Sequence, residues 1–190
     1  MKLLACKWAM QAVALLIFMT QASFATRLDL VTAQTKIFIY YQKGGPALDS
    51  IAAHLLAAGI KRVSGYLPKV GTDLAGAKGS VIVLGRVDSS IVNHFVKKGV
   101  DHALKGQWER YSLCVLNKPL KNIGQALIVA GSDVRGTAYG VFAISEKIGV
   151  TPWYWWADAV PVSRKTLSLD IPDHTSASPS VKFRGIFIND

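Results

Sequence analysis

The segment Gln125-Ala-Leu-Ile-Val-Ala-Gly-Ser-Asp-Val-Arg-Gly-Thr-Ala-Tyr-Gly140 contains an apolar run, a short polar turn and the start of a helix. The run at residues 125–130 is typical of a strand that is buried on both faces. Asp133 is a residue type that caps helix N-termini. The pattern predicts a helix over residues 134–148 that Gly149 ends. The segment therefore predicts a strand–turn–helix unit of an α/β domain.

The chain on either side of this unit alternates between predicted strands and helices. Asp49 falls in the first turn of one helix, where the helix dipole favours an acid, and Gly59 is expected to end that helix. Asp88 is expected to cap the next helix, which Gly99 ends. This order predicts a mixed β-sheet flanked by helices. The predicted strands are 36–41, 62–67, 80–85, 110–116 and 165–169, and the helices before Gly131 are 46–58 and 89–98.

The first 25 residues have the pattern of a secretory signal peptide. Lys2 and Lys7 precede an apolar run at residues 8–20, and small residues lead to a predicted cut at Ala25/Thr26. The run is shorter than the roughly 20 residues that span a bilayer. A retained membrane anchor is the alternative, and the lack of a following stop-transfer segment disfavours it. We therefore expect a secreted or periplasmic protein without stable membrane insertion.

Charge and motif content exclude several classes of function. The formal net charge of the whole chain is +10, but the basic residues are scattered and form no arginine-rich stripe with aromatics. Together with the predicted export, this pattern argues against nucleic acid as a partner. It is compatible with an acidic sugar as a substrate. Without the signal peptide Cys114 is the single cysteine, and it is expected in the core. No metal-ligand pair and no Gly-x-Ser-x-Gly motif occurs in the sequence, so neither metal nor cofactor is predicted.

The turn at residues 131–136 has two interpretations. Because it follows a strand and opens a helix, its free N–H groups could hold the phosphate of a nucleotide. Its glycine spacing does not match the dinucleotide fingerprint, and no Walker lysine follows. A tight turn in which Arg135 pairs within the protein is the favoured interpretation.

The run Trp153-Tyr-Trp-Trp156 is the most unusual local feature of the sequence. Aromatic rings that are exposed can stack on sugars, and buried ones can join one domain to another. Four successive aromatic residues cannot all face one side of a strand. The run therefore predicts a loop in which Trp153, Trp155 and Trp156 serve an interdomain contact or stack on a sugar.

A change in composition near residue 172 predicts a domain boundary. Residues 26–172 form the predicted N-terminal α/β domain, and the Pro- and Ser-rich residues 173–180 form a linker. Residues 181–188 have the pattern of a strand, which needs ladder partners. We expect residues 181–190 to begin a (β/α)8 barrel that this chain truncates; pairing with the preceding sheet is the alternative. Asn189 and Asp190 would then lie on the face where barrels carry their active sites.

Four stretches of the chain, in order between residue 36 and the last residue, form a recognisable set of motifs. They are Leu104-Lys-Gly-Gln-Trp-Glu109, Ala130-Gly-Ser-Asp-Val-Arg-Gly-Thr-Ala-Tyr-Gly140, Ser145-Glu-Lys-Ile-Gly-Val-Thr-Pro-Trp-Tyr-Trp-Trp-Ala-Asp158 and Ser178-Pro-Ser-Val-Lys-Phe-Arg-Gly-Ile-Phe-Ile-Asn-Asp190. The set resembles glycoside hydrolase family 115, the xylan α-1,2-glucuronidases. The motif near residue 135 also resembles other glycosidases, including the family 67 α-glucuronidases.

The resemblance implies an N-terminal α/β domain followed by a catalytic barrel. It implies removal of glucuronic acid, or its 4-O-methyl ether, from xylan or a glucuronoxylooligosaccharide with inversion, by two carboxyls roughly 6.5–9.5 Å apart. Asn189 and Asp190 match pocket positions of the family, and Asp190 is also a candidate catalytic carboxylate. The chain alone is expected to be inactive, and a homodimer is considered for the full-length protein. A stand-alone carbohydrate-binding or structural accessory domain is the alternative; a nucleotide-binding domain is a third.

Overall fold

A computed structural model describes residues 25–95 and 101–185, except the side chains of residues 101, 102 and 155. The described residues form a mixed α/β domain. The strands are β1 Thr26–Val31, β2 Phe38–Tyr41, β3 Lys69–Gly71, β4 Gly79–Arg86, β5 Tyr111–Leu120, β6 Ile123–Gly131, β7 Leu167–Ile171 and β8 His174–Thr175. The helices are α1 Ala47–Ser64, α2 Ser90–Phe95, α3 Asp101–Leu104, α4 Val134–Lys147 and α5 Trp153–Trp156.

The main sheet has six strands in the order β3-β2-β4-β6-β5-β8. β2, β3, β4 and β6 are parallel, whereas β5 runs antiparallel to both of its neighbours. A separate antiparallel ribbon pairs β1 with β7. The predicted mixed sheet flanked by helices is therefore confirmed among the described residues.

Apolar side chains of β4 and β6 are buried on both faces of the sheet. Ile82 and Leu84 point into one core, which α1, α4 and the β1–β7 ribbon cover. Val81 and Val83 point into the opposite core, which α2 and α3 cover. Because successive side chains of a strand alternate between faces, a strand covered on both sides has a continuous apolar run. This accounts for the apolar pattern that predicted β4 and β6.

Helix α1 is longer than its sequence pattern indicated. Gly59 does not end it: the helix continues to Ser64, and Gly65 ends it in the left-handed conformation with φ 76°. The prediction of a strand over residues 62–67 is wrong for the same reason. A Cβ on Gly59 would lie 3.5 Å from Val150, which is an ordinary van der Waals contact, so the helix has room for a small side chain at this position.

Helix α4 packs closely against the ends of β5 and β6. Its predicted N-cap is confirmed, because the Asp133 carboxylate accepts a hydrogen bond of 2.7 Å from the N–H of Gly136. A Cβ on Gly136 would overlap the carbonyl oxygen of Arg110, and one on Gly140 would lie 2.7 Å from Val129. Both glycines are therefore required by the close contact between helix and sheet.

Two further predictions were wrong. Asp88 does not cap a helix; its carboxylate binds the guanidinium of Arg86 at 2.9 and 2.6 Å, and α2 begins at Ser90. The aromatic run forms the short helix α5, not a loop. The last predicted strand occurs as β7, but it pairs with β1, which the sequence did not predict. The predicted end of the second helix at Gly99 lies outside the described residues.

The segment after β7 stays close to the sheet. Within the predicted linker, His174–Thr175 pairs with Leu113 and Ser112 of β5. Residues 181–185 lie outside any strand, and the rest of the predicted barrel strand lies outside the described residues, so that strand is not confirmed. The proposed domain boundaries stay predictions.

We expect Gly136→Ala to lower the free energy of unfolding by at least about 2 kcal/mol, because its methyl group would overlap the backbone of Arg110. The loss would occur although alanine is the better helix former by about 1 kcal/mol. Gly76→Ala is the matched control, because a Cβ there meets no atom within 4 Å. Urea unfolding of both variants measures the difference, and equal stabilities would contradict the close packing.

Candidate functional site

Glu109 lies at the centre of the most highly connected polar cluster among the described residues. Its residue exposure is 6%, and its backbone adopts the left-handed region with φ 52°, which is uncommon for a residue other than glycine. The N–H of Glu109 donates a hydrogen bond of 2.8 Å to the Asp133 carboxylate. Because Asp133 also caps α4, one carboxylate fixes both the helix and the unusual backbone before β5.

Two guanidinium groups bind the Glu109 carboxylate. Arg135 donates to Oε1 at 2.9 Å, and Arg184 donates to Oε2. The hydrogen bond from Arg135, and then that from Arg184, lower the pKa of Glu109 below its usual value. The carboxylate therefore stays ionised at neutral pH and is unsuited to donating a proton.

Arg184 also contacts two aromatic residues. Its guanidinium donates to the hydroxyl of Tyr139 at 3.0 Å, and its central carbon lies 5.8 Å from the Tyr139 ring and 5.9 Å from the Trp108 ring. These distances allow cation–π attraction. We call Trp108, Glu109, Arg135, Tyr139 and Arg184 the Glu109 cluster.

Ser176 attaches the same C-terminal segment to the edge of the sheet. Its N–H donates to the carbonyl of Tyr111 at 2.9 Å, and its hydroxyl accepts from the N–H of Tyr111 at 3.0 Å. The side chain of Arg110 donates to the Ser176 carbonyl at 2.6 Å. Together with the Glu109 cluster, these bonds hold residues 174–184 against the domain at several points.

The turn at residues 131–136 does not have the geometry of a phosphate site. Two acids already bind donors of this turn, since Asp133 takes the N–H of Gly136 and Glu109 takes the guanidinium of Arg135. The prediction that Arg135 pairs within the protein is confirmed. An anion at this helix N-terminus would meet the negative charge of both carboxylates.

The aromatic run is divided between anchoring and exposed residues. The Tyr154 ring lies under the guanidinium of Arg62, 3.8 Å from its central carbon, which ties α5 to the last turn of α1. Trp153 and Trp156 are 64% and 65% exposed, and their i,i+3 spacing places them on the same side of the short helix. The side chain of Trp155 lies outside the described part of the structure. The role of the three tryptophans in a sugar or interdomain contact stays a prediction.

The other candidate residues are either outside the described residues or without the features of an active site. Asn189 and Asp190 lie outside the described residues. Cys114 is half-buried, and burial raises the pKa of its thiol to about 11, so it is not an activated nucleophile. In the described ranges, no group of His, Cys, Asp and Glu has a geometry suited to a metal ion. Nor is any helix there long and apolar enough to cross a membrane.

Sequence reasoning missed Glu109, although a pattern that points to it was present. Glu109, Arg135 and Arg184 each belong to a different one of the four stretches that resemble family 115. One acidic and two basic residues in separate motifs are candidates for ion pairs. Because they lie far apart in the sequence, however, their pairing could not be predicted without the fold.

The chain was compared with protein families, curated proteins and solved structures. No protein-family model matches the chain, and no curated protein matches it. A solved structure that matches is a 4-O-methyl-alpha-glucuronidase of glycoside hydrolase family 115, described as having specificity for decorated arabinogalactans. The two are 30% identical with a TM-score of 0.62, and the match covers 85% of this chain and 19% of that one.

The fold and the Glu109 cluster define a mixed α/β domain whose C-terminal segment is fastened to its sheet edge. The similarity in sequence and structure confirms the resemblance of this domain to family 115. The chain spans about a fifth of the length of that glucuronidase.

We expect Glu109→Gln to loosen the segment at residues 176–185. The neutral amide keeps the shape of the side chain but loses the charge that binds Arg135 and Arg184. Limited trypsin digestion, followed by mass spectrometry, should show faster cleavage after Lys182 than in the unaltered chain. Glu146→Gln, an exposed site on α4, is the control; equal cleavage in both variants would contradict a fastening role.

Proposed function

We propose that this chain is the N-terminal α/β domain of a secreted or periplasmic glycoside hydrolase that removes (4-O-methyl)glucuronic acid from a plant polysaccharide with inversion. The similarity to the family 115 glucuronidase carries the proposal, since it covers 85% of the chain at 30% identity. The Glu109 cluster supports it, because it joins residues from three of the family-like motifs in one contact.

In this proposal the domain supports the catalytic barrel instead of performing the reaction. Arg184 is held by Glu109 and Tyr139, and it belongs to the predicted strand at residues 181–188, which Asn189 and Asp190 follow. A fixed Arg184 would therefore fix where that strand begins. Asn189 would offer a donor and an acceptor to a sugar hydroxyl, and Asp190 would bind hydroxyls or act as an acid or base. The other carboxyl of an inverting pair would come from elsewhere in the barrel.

Two polysaccharide backbones are candidates for the substrate. The motif resemblance favours xylan, whereas the neighbouring glucuronidase is described as specific for decorated arabinogalactans. Both substrates fit the same reaction class, because the enzyme would recognise the uronic acid side group at the scissile bond. The positive formal charge of the chain is compatible with either acidic polymer.

We expect the DNA after the Asp190 codon to continue in frame through a barrel of about 250 residues. The protein encoded by that longer frame should release glucuronic acid from glucuronoxylan or a decorated arabinogalactan, and the 190-residue chain should release none. Glu109→Gln in the longer protein should reduce kcat, because the barrel strand is less well placed, and Glu146→Gln should not. Release of glucuronic acid by the 190-residue chain itself would contradict the supporting role.

A second candidate function is carbohydrate binding by the domain itself, which the exposure of Trp153 and Trp156 favours. If their rings stack on sugars, affinity electrophoresis in glucuronoxylan should retard the chain, and Trp153→Ala and Trp156→Ala should abolish the retardation. Phe142→Ala is the control, because Phe142 is an exposed aromatic on α4. If the unaltered chain migrates without retardation, the carbohydrate-binding function is wrong and an interdomain contact of the tryptophans is favoured.

A further inference from the structure

A crevice opens where β2 and β4 end side by side. From β2 the chain passes through α1 to β3 on one side, and from β4 it continues towards β6 and β5 on the other. α1 covers one face of the sheet and α2 the opposite face. Connections that leave two adjacent parallel strands in opposite directions create a gap at their carboxyl ends. Open α/β sheets bind their ligands at such gaps.

The crevice has the size and the polar lining of a small-molecule site. Its volume is about 630 Å³, within the usual range of roughly 300–1,000 Å³ for ligand pockets. It is separate from the residues of the Glu109 cluster. The lining residues that matter here are Gln42, Gly45, Asp49, Arg86, Asp88 and Ser90.

One carboxyl oxygen of Asp49, Oδ1, lacks a hydrogen-bond partner in the described part of the chain, and Asp49 lies in the wall of this crevice. The residue is 1% exposed, and its Oδ1 has no hydrogen-bond partner among the described residues. Buried polar atoms nearly always have a partner, so an orphaned carboxylate oxygen in a crevice wall points to an absent donor. Burial raises the pKa of Asp49 to about 6, and nearby Arg86 opposes part of that rise. At neutral pH the group is therefore a charged acceptor.

The other polar groups of the crevice are already engaged. Arg86 binds Asp88 through two hydrogen bonds, at 2.9 and 2.6 Å. The side-chain oxygen of Gln42 accepts from the N–H of Ser90 at 3.0 Å. Asp49 is thus the acceptor that remains for a ligand.

Gly45 keeps the space beside that acceptor open. A Cβ at this position would lie 3.8 Å from Asp49 Oδ2 and 3.0 Å from the Gln42 carbonyl oxygen. A side chain there would fill the approach to the carboxylate. The absence of one leaves space beside Oδ2 of the carboxylate on the crevice side.

The charges of the crevice select the chemical class of that ligand. Arg86 and Asp88 compensate each other's charge, so the carboxylate of Asp49 disfavours an anion. A metal ion would need further ligands, and the described residues contain no group of three or more His, Cys, Asp or Glu with a suitable geometry. A neutral hydroxyl can donate to Asp49 without a charge penalty, and a polyhydroxylated molecule offers several such donors.

We propose that this crevice binds a neutral, polyhydroxylated molecule of about monosaccharide size, with the carboxylate of Asp49 accepting a ligand hydroxyl. The site is independent of the catalytic role proposed for the longer protein, and it has its own acceptor and its own opening.

Nuclear magnetic resonance titrations of the full chain with D-xylose, L-arabinose and D-galactose test the proposal. At least one sugar should shift the amide resonances of Gly45, Asp49 and Ser90. Asp49→Asn should weaken that binding about tenfold, because it replaces a charged acceptor with a neutral one. Asp170→Asn, at an exposed site on β7, is the matched control and should bind as the unaltered chain does.

Melting temperatures distinguish a ligand role from a structural one. Asp49→Asn removes a buried charge, so at pH 8 it should melt at the same temperature as the unaltered chain or higher. Gly45→Ala should weaken sugar binding while the fold is retained by circular dichroism. The proposal is wrong if no sugar shifts these resonances, if inorganic phosphate or Mg²⁺ binds there instead, or if Asp49→Asn lowers the melting temperature and leaves sugar affinity unchanged.

Discussion

The carboxylate of Glu109 joins three parts of the chain that are distant in sequence. It lies at a buried position before β5, accepts from Arg135 at the start of α4, and accepts from Arg184 in the C-terminal segment. A buried carboxylate without partners would carry a large desolvation penalty, so its presence requires the guanidinium groups. The Asp133 side chain adds a second constraint, because it holds the backbone of Glu109 and the first turn of α4 together. The path of residues 174–184 depends on these two acids.

The close contact between α4 and the sheet places Glu109 and Asp133 beside the groups that they bind. Gly136 and Gly140 allow the helix to lie directly against Arg110 and Val129. A larger residue at either position would displace the helix and, with it, Arg135 and Tyr139. The close packing at Gly136 and Gly140 and the ion pairs of Glu109 therefore position the same contact, which is the one between α4 and the C-terminal segment. Because the chain is similar to a family 115 glucuronidase, we propose that this contact supports the structure that follows it in the enzyme.

Local patterns predicted the elements whose causes are local. The apolar runs of β4 and β6 follow from burial on both faces, and the cap of α4 follows from the chemistry of Asp133. Predictions were wrong where a distant partner decided the outcome. Gly59 looked like a helix end, but Ile60 and Val63 beyond it pack in the core, and the helix continues to Ser64. Asp88 looked like a cap, but Arg86 binds it. The Glu109 cluster and the orphaned oxygen of Asp49 could not be inferred from sequence, because both depend on which segments the fold brings together.

The most direct test of this account is a double-mutant cycle between Glu109→Gln and Arg184→Met, read by hydrogen exchange of the amides in residues 176–185. If the ion pair fastens the segment, each single variant should accelerate exchange, and the double variant should exchange no faster than the faster single one. Strictly additive effects, or exchange that neither variant changes, would show that the segment is held without this pair and would contradict the central claim.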